Sequence, residues 1–130
     1  MVIDTSAIIA ILLDEPENER ILNAIVSSSK LLISAYTALE CGIVIEAKKG
    51  EPGGRELDLL FHKLDITIVN MDTKQYERAR IAWRLYGRGR HPAKLNIGDC
   101  CSYALSAYSG EPLLFKGDDF SKTDISIVNY

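Results

Sequence analysis

Met1-Val2-Ile3-Asp4-Thr5-Ser6 is the stretch that most constrains how this chain folds. Three apolar residues, two of them β-branched, are followed by an aspartate and two hydroxyl side chains. They read as a short buried strand that ends at a carboxylate and hands over to a helix. In an open α/β sheet, ligands bind in the crevice outside the carboxyl ends of the strands. Asp4 therefore stands on a rim where function is expected, and the other acidic residues are tested by whether they reach that edge.

Ala7 to Leu13 is apolar on every side, as in a helix covered by its neighbours. Asp14-Glu15-Pro16-Glu17 opens a second helix, with Asp14 as cap and Glu17 completing a capping box, and Ile21, Leu22 and Ile25 form its apolar stripe. Leu31 to Ile33 is a second strand. A helix from about Ser34 to Lys49 follows, carrying Leu39, Ile43 and Ala47 at spacings of four, and it stops at Gly50 and a turn Pro52-Gly53-Gly54. Leu57, Leu60, Phe61 and Leu64 define a fourth helix and Ile66 to Val69 a third strand. Asp72 and Gln75 form a capping box for a helix with Tyr76, Ala79, Trp83 and Tyr86 on one side. After a loop from Gly87 to Leu95, a helix runs from about Asn96 to Ser109, and Leu113 to Phe115 and Ile125 to Val128 are the last strands. Connections this long and helical are crossovers, so the expectation is one α/β domain with a mainly parallel sheet over residues 1–130.

The 47% hydrophobic and 25% charged fractions exclude disorder as the organising principle. The run Ala7–Leu13 is too short to span a bilayer, and an aspartate stands where a secretory leader carries basic residues, so a cytoplasmic location is expected. Cys41, Cys100 and Cys101 have no metal-ligand spacing and read as reduced, near-core residues. A net charge of −3 argues against a general nucleic-acid binder.

Four segments bring carboxylates to one edge if the sheet is parallel: Asp4 after the first strand, Glu40 early in the helix after the second, Asp99 in the first turn of the Asn96 helix, and Asp118-Asp119 after Leu113–Phe115. Each has an ordinary explanation. Thr37 and Glu40 fit a capping box, Asp99 suits a helix N-terminus, Asp4 can cap, and Asp118-Asp119 can form a turn. Together they pose an energetic problem, because two carboxylates about 4 Å apart repel by roughly 4 kcal/mol at an effective dielectric of 20. A hard divalent cation with oxygen ligands is the common neutraliser, and such a site suits phosphodiester hydrolysis.

Val2 to Ala7, Ala38-Leu39-Glu40, Leu95 to Asp99 and Gly117-Asp118-Asp119-Phe120, in this order and spacing over nearly the whole chain, resemble the PIN-domain ribonucleases, and within them the VapC-type toxins of toxin–antitoxin pairs. The resemblance implies a central parallel sheet with helices on both faces and the first strand in the middle. It implies that Asp4, Glu40, Asp99 and an acid of the Asp118-Asp119 pair hold Mg2+ or Mn2+, with Ser6 and Asn96 in support. By the family pattern the firmer role falls on Asp119, leaving Asp118 a turn former or supporting acceptor. The implied activity is endonucleolytic RNA cleavage by a homodimer held inactive by a cognate VapB-type antitoxin.

The segment Arg84 to Lys94 concentrates Arg84, Arg88, Arg90 and Lys94 just before the Asn96–Asp99 element, so an acidic protein can still meet an RNA backbone there. The ordinary reading is a solvated helix end with favourable C-terminal arginines. Trp83 and Tyr86 read as core or dimer surface rather than base-stacking platforms. Two further functions are weighed: a catalytically silent PIN-like module that binds RNA or protein, and a phosphoryl-transfer receiver or phosphatase using a strand-end aspartate. The intact acidic set speaks against the first, and the lack of a second aspartate two positions after Asp4 against the second.

Overall fold

Val2 and Ile3 form the shortest kind of strand, yet both are fully buried, because each points into a different core. In the computed structural model, which describes residues 1–130, β1 (Val2–Ile3) lies between β2 (Leu32–Ser34) and β4 (Leu113–Leu114), with β3 (Thr67–Val69) at the edge beyond β2. All pairings are parallel, with Val2 opposite Leu32 and Leu113, and Ile3 opposite Leu114. Side chains alternate across a strand. Val2, Leu32 and Leu113 therefore join one core, with Ala79, Ala82, Leu105 and Phe120, while Ile3, Ile33 and Leu114 join the other, with Ile8, Ile21, Ile25 and Ile45. Fully burying side chains of this size contributes about 1.5–3 kcal/mol each.

The helices divide accordingly. α1 (Thr5–Leu12), α2 (Asn18–Val26), α3 (Ala35–Lys49) and α4 (Glu51–Lys63) build the Ile3 core, and α5 (Thr73–Tyr86) and α6 (Ile97–Ser109) the Val2 core. The expected α/β architecture, with β1 central and helices on both faces, is what the chain adopts. No helix is long and apolar enough to cross a membrane.

Five local expectations are corrected. Asp14 does not cap α2: it takes a left-handed backbone at φ 52° and accepts instead from the Asn18 side chain, and α2 starts without a side-chain cap. Leu39, Ile43 and Ala47 do not face the core. Ser34 caps α3, so the helix begins before Thr37, and its buried face is Thr37, Cys41 and Ile45, leaving Leu39 61% and Ile43 62% exposed. Pro52-Gly53-Gly54 is not a turn but the first turn of α4. A Cβ on Gly53 would sit 2.8 Å from Lys49 Cβ and 3.0 Å from the Ile45 carbonyl, so glycine lets α3 and α4 close against each other. The Asp72–Gln75 box is half made, since Asp72 accepts from the Gln75 N–H but the Gln75 side chain donates to the Asn70 carbonyl. Ile125–Val128 is no strand, only a single parallel bridge of Ile127 to Leu113.

Candidate active site

Asp4 follows β1 in extended conformation and is the N-cap of α1, only 4% exposed. Burying a carboxylate is costly unless its oxygens are satisfied. Here Oδ2 accepts from the Ser6 N–H at 2.9 Å and the Ser6 hydroxyl at 2.6 Å, and Oδ1 accepts from the Ser102 hydroxyl at 2.6 Å. Ser102 has one proton and gives it to Asp4, so in its 3.2 Å contact with Thr37 the threonine is the donor. A buried chain of hydroxyls from α3 and α6 thus fixes the plane of the Asp4 carboxylate. Ser6 Oγ also accepts from the Lys116 N–H at 2.9 Å, which ties the end of β1 to the segment leaving β4.

Glu40 lies half-buried one turn into α3, and its Oε1 accepts from the Thr5 hydroxyl. Its other oxygen lies against α6: a Cβ on Gly98 would be 2.6 Å from Glu40 Oε2, so only glycine permits this approach. Asp99, next in sequence, forms a complete capping box with Asn96. Its Oδ2 accepts from the Asn96 N–H at 2.8 Å, and its own N–H donates to Asn96 Oδ1 at 2.9 Å. The ordinary structural reading of Asp99, as the acid of a helix N-terminus, is therefore what the structure shows. Burial first, and then the charges of Asp4, Asp119 and Glu40, push the Asp99 carboxyl up to about 6, against the opposing Asn96 N–H. Those three acids are near enough to be felt at one point, so four distant segments do meet at one rim.

The two neighbouring acids part company. Asp118 is exposed and its carboxylate pairs with Lys122 at 2.8 Å, which holds its pKa below the ordinary value. Asp119 is exposed without a salt-bridge partner, and its charge reaches Asp99. Lys94 lies close enough to lower the Asp118 pKa further, which brings the basic segment to the same rim. Arg84, Arg88 and Arg90 are exposed, and Arg90 stacks over the Trp83 ring at 4.2 Å from its centroid.

Sequence reasoning assigned Thr5, Thr37, Gly98 and Ser102 no contact with the acids, which the structure gives them. Ser102 had a readable signal, standing one helical turn after Asp99 and so on the same face of α6. The cysteines are free and buried, and burial pushes Cys41 and Cys100 up to about 12 and Cys101 to about 11, so none offers a thiolate.

The donor set is all oxygen, which fits a hard divalent ion. As placed, no three acidic, histidine or cysteine side chains converge closely enough to enclose one. The oxygens of Asp4, Glu40 and Asp99 instead turn onto hydroxyls and N–H groups, and Asp99 bears the cost of their mutual charge. A cation relieves that repulsion, so the residues present suit the group.

The PIN-domain family model matches residues 1–126. A VapC ribonuclease of Mycolicibacterium smegmatis is 52% identical over 129 residues, which cover 99% of this chain and all of the relative. Among solved structures, VapC20 of Mycobacterium tuberculosis, a toxin that cleaves the sarcin-ricin loop, superposes with a TM-score of 0.78 at 15% identity, covering 98% of this chain and 97% of that one. A toxin–antitoxin complex from Klebsiella pneumoniae gives a TM-score of 0.74 at 18% identity over 99% and 97% of the two chains.

Proposed function

The chain belongs to the PIN-domain family, and from that premise we propose that it is the ribonuclease toxin of a toxin–antitoxin pair, hydrolysing RNA phosphodiester bonds at the acidic rim. The observation that carries the reading is the meeting of Asp4, Glu40, Asp99 and Asp119, felt together at the Asp99 carboxyl. These four are the residues that would hold a divalent ion, Mg2+ or Mn2+. When bound, such an ion neutralises phosphate charge and makes a bound water acidic enough to attack at neutral pH.

The protein's part is to present the oxygens without reorganisation. Ser6 and Ser102 hold Asp4, Thr5 holds Glu40 and Asn96 holds Asp99, so three acids are aimed before substrate arrives. Asp119 stands free at the mouth. Lys94, Arg84, Arg88 and Arg90 flank the rim and bind phosphates on either side of the one cut. Asp118, occupied by Lys122, shapes the loop that carries Asp119.

The toxin works as a homodimer and is silenced by a cognate VapB-type antitoxin. Leu39, Ile43, Leu59 and Ile68 leave an apolar surface along α3, α4 and β3 that suits such a contact.

The test is incubation with a mixed RNA pool, with and without Mg2+ or Mn2+, mapping the cut ends. Cleavage that chelator abolishes, together with a melting temperature that rises with divalent ion, is expected. Cleavage at full rate in excess chelator would refute the metal-dependent reading.

A further inference from the structure

Between Gly87 and Leu95 the chain folds back on itself rather than trailing across the surface. The Arg88 N–H donates to the Leu95 carbonyl at 3.0 Å and the Leu95 N–H to the Tyr86 carbonyl at 2.9 Å, so the two ends pair as a parallel bridge. The Arg90 and His91 N–H groups share the Gly87 carbonyl, and the Lys94 and Ala93 N–H groups turn onto the His91 carbonyl and Nδ1. Ala93 and Leu95 are buried in the Val2 core and hold the returning limb. The outgoing limb leans on the Tyr86 ring through His91, edge-on at 5.1 Å between centroids, and on the Trp83 ring through Arg90. Arg88, Arg90, His91 and Lys94 line a shallow cavity of about 630 Å3 with no acidic side chain. The basic segment is thus a prefolded arm, and its seat on the body decides where its cations stand.

That seat ends on a carboxylate to which neither the fold nor the acidic rim has given a role. Tyr86 packs on Tyr103 of α6, ring centroids 5.9 Å apart. Tyr103 is only 8% exposed, and a buried phenol needs an acceptor. Its hydroxyl donates to Asp124 Oδ1 at 2.6 Å, a charge-assisted bond of the strong kind. The same carboxylate reaches Tyr86, whose phenol is pushed up first by burial and then by Asp124. Asp124 makes no salt bridge, although Arg78 is near enough to act on Tyr103, whereas Asp118 is taken up by Lys122. Along the chain, one short turn, Phe120–Lys122, separates Asp124 from Asp119. At Asp124, therefore, the segment bearing the fourth acid meets the root of the basic arm.

We propose that Asp124 is a positioning residue for RNA: through Tyr103, and Tyr86 packed on it, Asp124 fixes the basic arm against the segment that carries Asp119. Phosphates held by Arg88, Arg90 and Lys94 then lie at a set distance from the acidic rim. This rests on the ribonuclease reading and adds to it the element that keeps the two charged regions in register. Asp119 keeps an anchor of its own, because Phe120 beside it is buried against Phe115 at 5.0 Å. Loss of the tether therefore displaces the arm and spares the reacting groups.

The experiment compares Asp124→Ala, Asp124→Asn, Tyr103→Phe and the double variant Tyr103→Phe/Asp124→Ala. It reads kcat and KM with divalent ion, the anisotropy of a labelled single-stranded oligoribonucleotide in EDTA, and thermal melts. At low salt Asp124→Ala should raise KM and weaken RNA binding by about tenfold, with kcat within about twofold, and the gap should close as salt rises. Asp124→Asn keeps an oxygen for the Tyr103 hydroxyl and should recover most of the loss. Tyr103→Phe should match Asp124→Ala, and the double variant should lose no more than either, since each breaks the same bond. Arg88→Ala added to Asp124→Ala should cost less than it does alone. Should Asp124→Ala fail to fold, Tyr103→Phe and Asp124→Asn carry the same readings. Unchanged KM and RNA affinity in Tyr103→Phe, a lowered melting temperature as the sole effect, or losses at Tyr103 and Asp124 that add in full overturn the tether and leave the ribonuclease reading standing. Tether-dependent RNA binding in EDTA, with no cleavage of any RNA by the wild type, does the reverse.

Discussion

On the acidic rim, Asp4 is nearly inaccessible and each of its oxygens is held by a named donor, whereas on the basic segment Arg84, Arg88, Arg90 and Lys94 are exposed and meet no carboxylate partner. The two regions adjoin, yet their charges are held on opposite plans. A buried charge acts through a low dielectric, so its orientation is fixed and small displacements matter. An exposed charge is screened within about 8–10 Å at ordinary salt, so it attracts substrate without setting the geometry of the reaction. Substitutions on the rim should therefore alter chemistry in an all-or-none way that salt does not rescue, and those on the basic segment should give graded effects that salt erases.

The largest effects are expected at the acids themselves. Asp4→Asn, Asp99→Asn and Asp119→Asn should reduce cleavage to that of a chelator-treated control while the protein still folds, whereas Asp118→Asn should stay within about twofold of wild type because its carboxylate is engaged by Lys122. Rates and divalent-ion calorimetry on the four variants check this, and a greater loss at Asp118 than at Asp119 would shift the site by one residue. Next comes Ser102→Ala. It removes the proton that fixes Asp4 and should weaken divalent-ion binding by about 10–100-fold, with Ser102→Thr restoring most of it. Ion affinity equal to wild type in Ser102→Ala would show that the rim does not depend on the hydroxyl chain.

A smaller effect appears in the metal-free protein. The Asp99 carboxyl, raised to about 6 from an ordinary 3.8, is protonated in the folded state but ionised in the unfolded state between those values. Its contribution to stability is therefore unfavourable at pH 7 and is relieved as pH falls through about 6 toward 4. The ceiling is about 3 kcal/mol, and solvent at this half-buried position reduces it. Without divalent ion, Asp99→Asn should melt a few degrees above wild type at pH 7, with the gap closing by pH 5. Thermal melts at the two pH values in EDTA read this, and a lower melting temperature for Asp99→Asn at pH 7 would mean that the Asn96 cap outweighs the repulsion. The smallest effects belong to Arg88→Ala and Arg90→Ala, each expected to weaken RNA binding about two- to fivefold at low salt and to lower the slope of log affinity against log salt by about 0.7. A salt-independent loss in either would place that arginine in the reacting geometry rather than in steering.

Much of this was legible beforehand because it rests on local chemistry. An apolar pair closed by Asp-Thr-Ser marks a strand and its cap, Asn96-x-x-Asp99 marks a helix start, and strands separated by helices force parallel pairing. Those patterns, with the family resemblance they carry, were enough to place four acids on one edge. What failed, failed for nonlocal reasons. Leu39, Ile43 and Ala47 have a spacing as regular as that of Thr37, Cys41 and Ile45, and the sequence alone cannot say which stripe meets the sheet. Gly53 and Gly54 look like turn formers until α4 is seen packed on α3. Ile125 to Val128 has strand composition but makes only one bridge beside Leu113.

The same division runs through the site. The sequence determined which acids stand at strand ends and helix starts, since caps and turns are decided within a few residues by backbone groups that need partners. Only the tertiary structure decided that Ser102 and Thr37 would meet over Asp4 and that Gly98 would let Glu40 lie against α6. Each of these depends on where two helices cross, and that is fixed by the packing of whole faces, which no single stretch of the chain contains.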